Sequence, residues 1–489
     1  MQILQENQEA LVSSKGRSKF LTKHKSPHSI QDLIDQNILP KNFSCSCGNK
    51  DLSNFKKEMD ILDVWFESGV SHTATLSKNP ELEIPANVYI EGSDQHRGWF
   101  QSSLLSSMIM YNKTCTKSFV THAHVLDAQA EKMSKSKGNV VSPIDIIEKY
   151  STDILRLWIA GSDFEGNIIL SDEVVKQVAE TYRKIRNTCR FMISNLYDFD
   201  IDKDAINIKD MTSIDQYALA RLHEFSESTK NSYEECWFTN VFHKINKYCT
   251  NDLSSFYLDI IKDRLYVEKS DGHLRRSSQT VMWHILDTLT KLVAPILTFL
   301  AEEVSDSYQK NKKDSINLQK FSKTIDVWEI LKKESEPEFK KSMPLHVKPG
   351  DIEPVIFEVM MKNRWTLIEI FRDEILKAIE EKRASSLIKH SLEAKVKIYL
   401  DESLDEAKAL KDFIEYLNGK EDSNRFFKDL LIVSQFEIDK TKNNLKATKL
   451  KWLYVDVEHA DGVKCPRCWQ WDVTDNPDEL CKRCEKVLS

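Results

Sequence analysis

Between residues 87 and 140 the chain alternates short apolar runs with glycine turns and a lysine-rich loop, an order that few folds accommodate. Asn87-Val88-Tyr89-Ile90-Glu91-Gly92 reads as a short buried strand that delivers a glycine turn and then a helix through Met110. Phe119-Val120-Thr121-His122 is a second strand leading towards the loop at 131–140. Strand, turn, helix, strand, loop is the grammar of a doubly wound nucleotide domain, whose ligands sit beyond the carboxyl ends of the strands. The expectation is therefore a Rossmann-like half-domain holding the later part of such a sheet.

From Ser171 the periodicity becomes helical. Ser171 can cap, Asp172 and Glu173 favour the positive end of a helix, and Val174, Val178, Tyr182 and Ile185 recur every three to four residues. Helical segments continue to about residue 310, with breaks near Asp200 and Asp271-Gly272, as expected of an antiparallel bundle. After the charged linker Lys332–Pro337, a helix over about 354–383 and an alternating strand at Ala394-Val396-Ile398-Leu400 suit a small α+β module. Only 12 of the 489 residues are glycine, which favours helices over a glycine-rich barrel or sandwich. The fold class expected is α/β followed by all-α, then an α+β module and a metal-binding tail.

Lys132, Lys135 and Lys137 place three ammonium groups beside Ser134, Ser136 and Gly138. Ammonium groups neutralise phosphate oxygens, hydroxyls add hydrogen bonds, and glycine leaves the backbone free to close on a ligand. On spacing alone a solvated basic turn is the far commoner reading. Glu91, Asp94 and Gln95 around Gly92 offer acceptors and an amide for an ammonium group, a ribose or adenine, or Ser93 and Asp94 merely cap a helix. Trp65 and Trp99 could wall an apolar substrate side chain, or be plain core. His122 and His124 alternate on a strand, so one is expected to face the ligand and the other to pack. No general base is assigned to them, because no Ser or Cys partner is placed to need activation.

Cys465-Pro466-Arg467-Cys468, twelve residues, then Cys481-Lys482-Arg483-Cys484 can wrap one Zn²⁺ through four thiolates, fixing a tail too short to own a core. Two disulfides are the alternative. Cys45 and Cys47 stand one residue closer than a Cys-x-x-Cys pair, with no earlier cysteine, so no metal is expected there. A net charge of −7 argues against a protein that coats nucleic acid, though a local basic surface can still bind RNA. No apolar stretch reaches membrane-spanning length, and the unpaired cysteines suit a reducing cytoplasm.

Lys132-Met133-Ser134-Lys135-Ser136 resembles the KMSKS signature of class I aminoacyl-tRNA synthetases. Asp63–Gly69, Glu91–Phe100, Asp153–Trp158 and Phe256–Arg264 resemble motifs of isoleucyl-tRNA synthetases, and the valyl and leucyl relatives differ across Gly92–Phe100. The resemblance implies ATP, isoleucine and tRNA-Ile as substrates, with Mg²⁺ accompanying ATP. It implies catalytic roles for Lys132 and Lys135, with Lys135 contacting ATP phosphate. The aminoacyl-adenylate would lie on Glu91, Gly92, Asp94, Gln95, Trp99 and Trp65. The cysteine tail resembles the terminal zinc module of the bacterial enzymes, where it helps engage tRNA, and Arg467, Lys482, Arg483, Trp469 and Trp471 would supply charge and stacking surfaces. Arg221, Lys244, Lys247, Lys262 and Arg264 are expected to be exposed candidates for tRNA.

The implied organisation is a remnant of the inserted editing region at 1–60, the catalytic half-domain at 61–170, a helical stem and anticodon-binding domain at 171–345, the α+β module at 346–460 and the zinc tail at 461–489. No His-x-Gly-His string of the HIGH type occurs in the 489 residues. Two readings follow: a C-terminal part of an isoleucine–tRNA ligase that needs a separate HIGH-bearing N-terminal half, or an inactive tRNA-binding fragment. A valyl or leucyl relative is a third, less favoured one.

Overall fold

The computed structural model describes residues 62–310, 312–331, 354–443, 445–473 and 480–489, together with residues 31, 34, 42, 44 and 47–51. The expected remnant at 1–60, the linker at 332–337 and Cys45 lie largely or wholly outside the described residues. The chain divides into two compact units, Met1–His122 and Ala123–Ser489.

In the first unit, Asp63 caps helix α1 (Val64–Gly69) by accepting from the Trp65 amide. Strand β1 (Ala86–Gly92) runs parallel to β2 (Thr116–His122), and helix α2 (Trp99–Tyr111) joins them. Tyr89, Phe100 and Cys115 form the small core between sheet and helix. The expected strand–turn–helix–strand order is present. Parallel sheets are ordinarily covered on both faces, yet Val88, Ile90 and Phe119 are 38%, 51% and 42% exposed.

The second unit begins with β3 (Val125–Leu126), the lysine loop, and helices α3 (Pro143–Lys149) and α4 (Thr152–Gly161), after which β4 (Ile168–Ile169) pairs parallel with β3. Ser171 then caps α5 (Asp172–Asn195) as its position predicts, its hydroxyl accepting from the Val174 amide. Helices α6 (Ser213–Glu234), α7 (Phe238–Lys247), α8 (Lys262–Val267), α9 (His273–Val293) and α10 (Thr298–Tyr308) complete the helical region. Between α7 and α8 the residues Tyr248–Tyr257 wind as a π-helix, a departure that no periodicity argument anticipates.

Motif residues pin this region together. The Asp153 carboxylate accepts from the Phe299 and Leu300 amides at 3.2 and 2.7 Å, capping α10, and Arg156 donates to the carbonyls of Pro295 and Ile296. Helix α11 (Pro354–Ala384) leads into a four-stranded sheet ordered β6-β5-β8-β7, with β5 (Ala394–Leu400) parallel to β6 (Gln435–Ile438) and antiparallel to β8 (Leu453–His459), which also pairs with β7 (Lys446–Ala447). Alternation along β5 holds: Ala394, Val396, Ile398 and Leu400 are all buried. Helices α12 (Asp405–Asn418) and α13 (Ser423–Leu431) pack beside it. A single apolar core runs from Leu157 to Val457, so bundle and sheet module share their interior.

Candidate functional site

Gly92 ends β1 in register with His122, and a Cβ there would lie 2.6 Å from Asp94 Oδ1. A side chain at 92 would therefore displace Asp94. A 3₁₀ turn, Ser93–Arg97, follows without a side-chain cap, so Ser93 and Asp94 do not act as the capping pair considered above. Gln95 is the capping group instead: its Oε1 accepts from the Trp99 amide at 3.0 Å, and its amide nitrogen donates to Asp94 Oδ2 at 3.3 Å. Trp99 stacks on Tyr89 with ring centroids 4.2 Å apart and donates its indole N–H to the Ser68 carbonyl at 2.9 Å. The Trp65 ring lies over Gly98, where an added Cβ would come within 3.0 Å of it. Glu91, Asp94 and Trp65 are exposed, so carboxylates and an indole face open space around a glycine turn. His122 and His124 are both exposed, so the expectation that one of them packs is not met; the strand ends at His122, and residues two apart share one face of a strand in any case.

The lysine loop is scaffolded from below. Asp127 is buried; its Oδ1 accepts from the Gln129 and Glu131 amides at 3.0 and 2.8 Å, and its Oδ2 from Asn139 Nδ2 at 2.7 Å. The Asn139 amide and these backbone N–H groups hold the Asp127 carboxyl below the usual carboxylate range. Asn139 also accepts from the Ser134 amide and donates to the Lys132 carbonyl, so one side chain spans the loop. Gly138 takes φ +71°, the left-handed region that glycine enters freely. Lys137 pairs with Glu131 at 3.1 Å, while Lys132 and Lys135 are exposed and enter no ion pair among the described residues. Sequence reasoning singled out the lysines and missed Asp127 and Asn139; the signal was an Asp and an Asn bracketing the loop twelve residues apart.

Hairpin β9 (Val463–Lys464) and β10 (Trp471–Asp472) carries Cys465 and Cys468 at its turn, and Cys481 precedes helix α14 (Lys482–Leu488). Gly462, at φ +91°, leaves no room for a Cβ, which would lie 2.0 Å from the Asp472 carbonyl oxygen. The four buried sulfurs lie within 4.8 Å of one another, and Cys468 Sγ is 3.7 Å from Cys481 Sγ. A tetrahedron with Zn–S bonds of about 2.3 Å has an edge of about 3.8 Å. The donor set therefore fits a structural metal ion. Disulfides need sulfurs about 2.05 Å apart, and all four cysteines are free thiols.

A family model described as tRNA synthetases class I (I, L, M and V) matches residues 4–171, and one described as the anticodon-binding domain of tRNA ligase matches residues 215–398. The isoleucine–tRNA ligases of Natranaerobius thermophilus and Petrotoga mobilis are 38% and 39% identical to this chain, each alignment covering 92% of it. The chain belongs to the class I tRNA synthetases. It spans 45% of the length of either relative. A solved Mycobacterium tuberculosis methionyl-tRNA synthetase bound by methionyl-adenylate overlays with a TM-score of 0.39 at 18% identity, over 45% of this chain and 44% of that one, too slight a likeness to add to the reading.

Within this synthetase chain most cations expected to meet RNA turn inward. Arg264 is 2% exposed and bound to Asp215 and Asp429. Arg221 pairs with Asp252 and Glu224 at 2.7 Å each, and Lys244 donates to the Ser228 carbonyl and the Ser232 hydroxyl. Lys262 stays exposed as expected, paired with Asp259 at 2.7 Å on the surface. Arg483 forms a bidentate pair with Asp263 at 2.7 and 2.8 Å, and Arg467 donates to the Val267 carbonyl, so both clamp the cysteine tail onto α8. Trp471 packs edge-on against His459, whereas Trp469 is 61% exposed with the Lys464 ammonium 5.3 Å from its ring centroid. Lys247, Lys262, Lys482 and Trp469 remain outward.

Proposed function

We propose that this chain supplies the later part of the adenylate site and the tRNA-binding part of an isoleucine–tRNA ligase. The observation that carries the reading is the 38% identity to isoleucine–tRNA ligases across 92% of the chain. In this reaction the isoleucine carboxylate attacks the α-phosphate of ATP, pyrophosphate leaves, and the acyl group passes to tRNA-Ile. Two anions must be brought together and further charge on the phosphates stabilised, so positioning and fixed cations supply most of the rate. Lys132 and Lys135 are assigned to the phosphates, supported by their lack of competing carboxylates, with Asp127 and Asn139 holding the loop that presents them. Mg²⁺ would accompany ATP. Glu91, Gly92, Asp94, Gln95, Trp65 and Trp99 are assigned to the adenylate and isoleucine. Cys465, Cys468, Cys481 and Cys484 would hold one Zn²⁺ as a structural cross-link.

A separate polypeptide bearing the HIGH motif is the proposed partner. The exposed apolar residues Val88 and Ile90, on the sheet face opposite the Tyr89–Phe100 core, support it, since the helices of a complete doubly wound sheet would cover such a face. The cytoplasm is the proposed compartment; no helix among the described residues is long and apolar enough to cross a membrane. The test is isoleucine-dependent ATP–pyrophosphate exchange with and without the HIGH-bearing half. Exchange only when both are present is expected. Binding of tRNA-Ile with no exchange in either case would leave the chain a tRNA-binding fragment and refute the catalytic reading.

A further inference from the structure

Behind Trp65 and Trp99, helices α1 and α2 meet through serines and a glycine rather than through the apolar ridges that ordinarily hold helix pairs together. Gly69, the last residue of α1, sits so close to α2 that a Cβ there would lie 2.8 Å from Ser102 Oγ. Two consecutive carbonyls of α1 are gripped by α2: Ser68 accepts from the Trp99 indole at 2.9 Å, and Gly69 accepts from the Ser106 hydroxyl at 3.0 Å. With little apolar burial at this contact, the hydrogen bonds set how α1 lies on α2.

The Ser106 hydroxyl is in turn met by His72, from the short helix Ser71–Ala74 that follows α1. His72 is 0% exposed, with Nε2 3.1 Å from Ser106 Oγ and Nδ1 2.8 Å from Thr73 Oγ1. Ser106 carries a single proton, and the Gly69 carbonyl can only accept it. His72 therefore reaches Ser106 as the donor, through Nε2–H, and Nδ1 accepts from Thr73, whose oxygen accepts from the Tyr111 hydroxyl at 3.0 Å. Burial holds the imidazole below its usual value, with the Ser103 carbonyl opposing, so the neutral ring that this relay needs is the favoured one.

A donor on one lone pair fixes the serine rotor. Without it the Ser106 proton can turn to the Ser103 carbonyl, 3.1 Å away in its own helix, and the Gly69 carbonyl loses its grip. Trp65 stands one turn before Gly69 on α1, with its ring over Gly98. An α1 held only at the Ser68–Trp99 bond can pivot there and carry Trp65 away from Trp99.

We propose that His72 is a positioning residue for the isoleucine pocket: through Ser106 it fixes α1 on α2 and so sets where Trp65 stands relative to Trp99. The proposal rests on the assignment of those two rings to isoleucine above.

The test is pyrophosphate exchange by the two-part enzyme carrying His72→Ala, His72→Gln or Ser106→Ala, with isoleucine and ATP varied separately. His72→Ala and Ser106→Ala should each raise KM for isoleucine roughly tenfold, as the loss of one hydrogen bond does, and leave KM for ATP within about twofold. The preference for isoleucine over valine should fall with it, since that preference depends on how closely a wall meets one methylene group. His72→Gln keeps an amide N–H for Ser106 and should bring the isoleucine KM back to within about threefold of wild type. Parallel rises in both KM values, or a glutamine that rescues nothing, would mark a histidine that only fills space and overturn the proposal. Should His72→Ala fail to fold, Ser106→Ala decides, since it removes one oxygen from a half-buried helix position. An unchanged isoleucine KM in Ser106→Ala, with the wild-type pair active, overturns the proposal and leaves the catalytic reading standing. No exchange by the wild-type pair fells the catalytic reading, and the proposal with it.

Discussion

Replacing Arg264 with methionine tests whether the shared core of bundle and sheet module hangs on one buried cation. Arg264 Nη1 donates to the Thr212 hydroxyl at 2.9 Å and to Asp215 Oδ2 at 3.3 Å, and Nη2 reaches Asp429 Oδ2 at 3.4 Å. The two carboxylates are unequally prepared for its loss. Asp215 also accepts from the hydroxyls of Tyr257, Ser277, Ser278 and Thr212, whereas Asp429 would keep only Arg425 at 3.9 Å. Burial already holds the Asp429 carboxyl above its ordinary value against the pull of Arg264 and Arg425. Breaking a buried pair by removing one member costs about 3–5 kcal/mol, because the remaining charge stays in a poor solvent. Arg264→Met should therefore destabilise by about that amount in urea unfolding followed by tryptophan fluorescence, and Asp429→Asn added to it should recover a large part.

The pH sign follows. A carboxyl whose native pKa is raised binds more protons folded than unfolded, so stability falls as pH rises from the unfolded value through the native one. The Arg264→Met deficit is fully present above that native value and shrinks as pH falls towards the ordinary aspartate range. A deficit below about 1 kcal/mol, or strict additivity of the two substitutions, would refute the reasoning.

Other predictions concern the sites themselves. Lys135→Ala should lower pyrophosphate exchange in the two-part enzyme roughly 10²–10³-fold, as losing one preorganised cation does, and leave tRNA affinity within about twofold; equal loss of both would count against the division of labour. Chelation or Cys465→Ser should abolish a stoichiometry of one zinc per chain, and faster amide exchange should extend from the tail to α8, because Val267 packs among the cysteines and Arg483 grips Asp263. Loosening confined to the tail would show the clamp to be idle. Burial holds the His284 imidazole below its usual value, with Asp287 opposing. The unfolded chain thus takes up a proton first as pH falls below about 6.5, and stability should drop there with a slope of at most about 1.4 kcal/mol per pH unit. His284→Gln should flatten that slope, and an unchanged slope would exonerate the histidine.

Local patterns were legible and long-range pairings were not. Period-2 burial along β5 and the Ser171 cap follow from neighbours in sequence, and both stand in the structure. Asp127 and Asn139 were equally local, yet the lysines between them drew the reading, since charge is a louder signal than the amide that orders it. The π-helix had no local signature at all. Its hydroxyls bond carbonyls five residues back, where a helical reading looks for partners at three and four. Arg264 looked like a surface cation because its partners stand 49 and 165 residues away.

The fate of the basic residues has a physical cause. A guanidinium carries five donors in a planar fork and is more weakly hydrated than an ammonium, so it survives burial where several acceptors converge. Here Arg156 holds two carbonyls, Arg275 a bidentate Asp198, Arg264 two aspartates, and Arg467 and Arg483 the cysteine tail. An ammonium is a compact, strongly hydrated charge that pays more to be buried, and the candidate cations left outward are lysines. Lys132, Lys135 and Lys247 are all of this kind. Exchanging the two classes should therefore fail in opposite ways. Arg264→Lys keeps the charge but loses the fork that spans Asp215 and Asp429, and should cost stability, while Lys135→Arg keeps a phosphate-binding cation on an open loop and should cost activity alone. If Arg264→Lys proved as stable as wild type in urea, the fork would not be what the core requires.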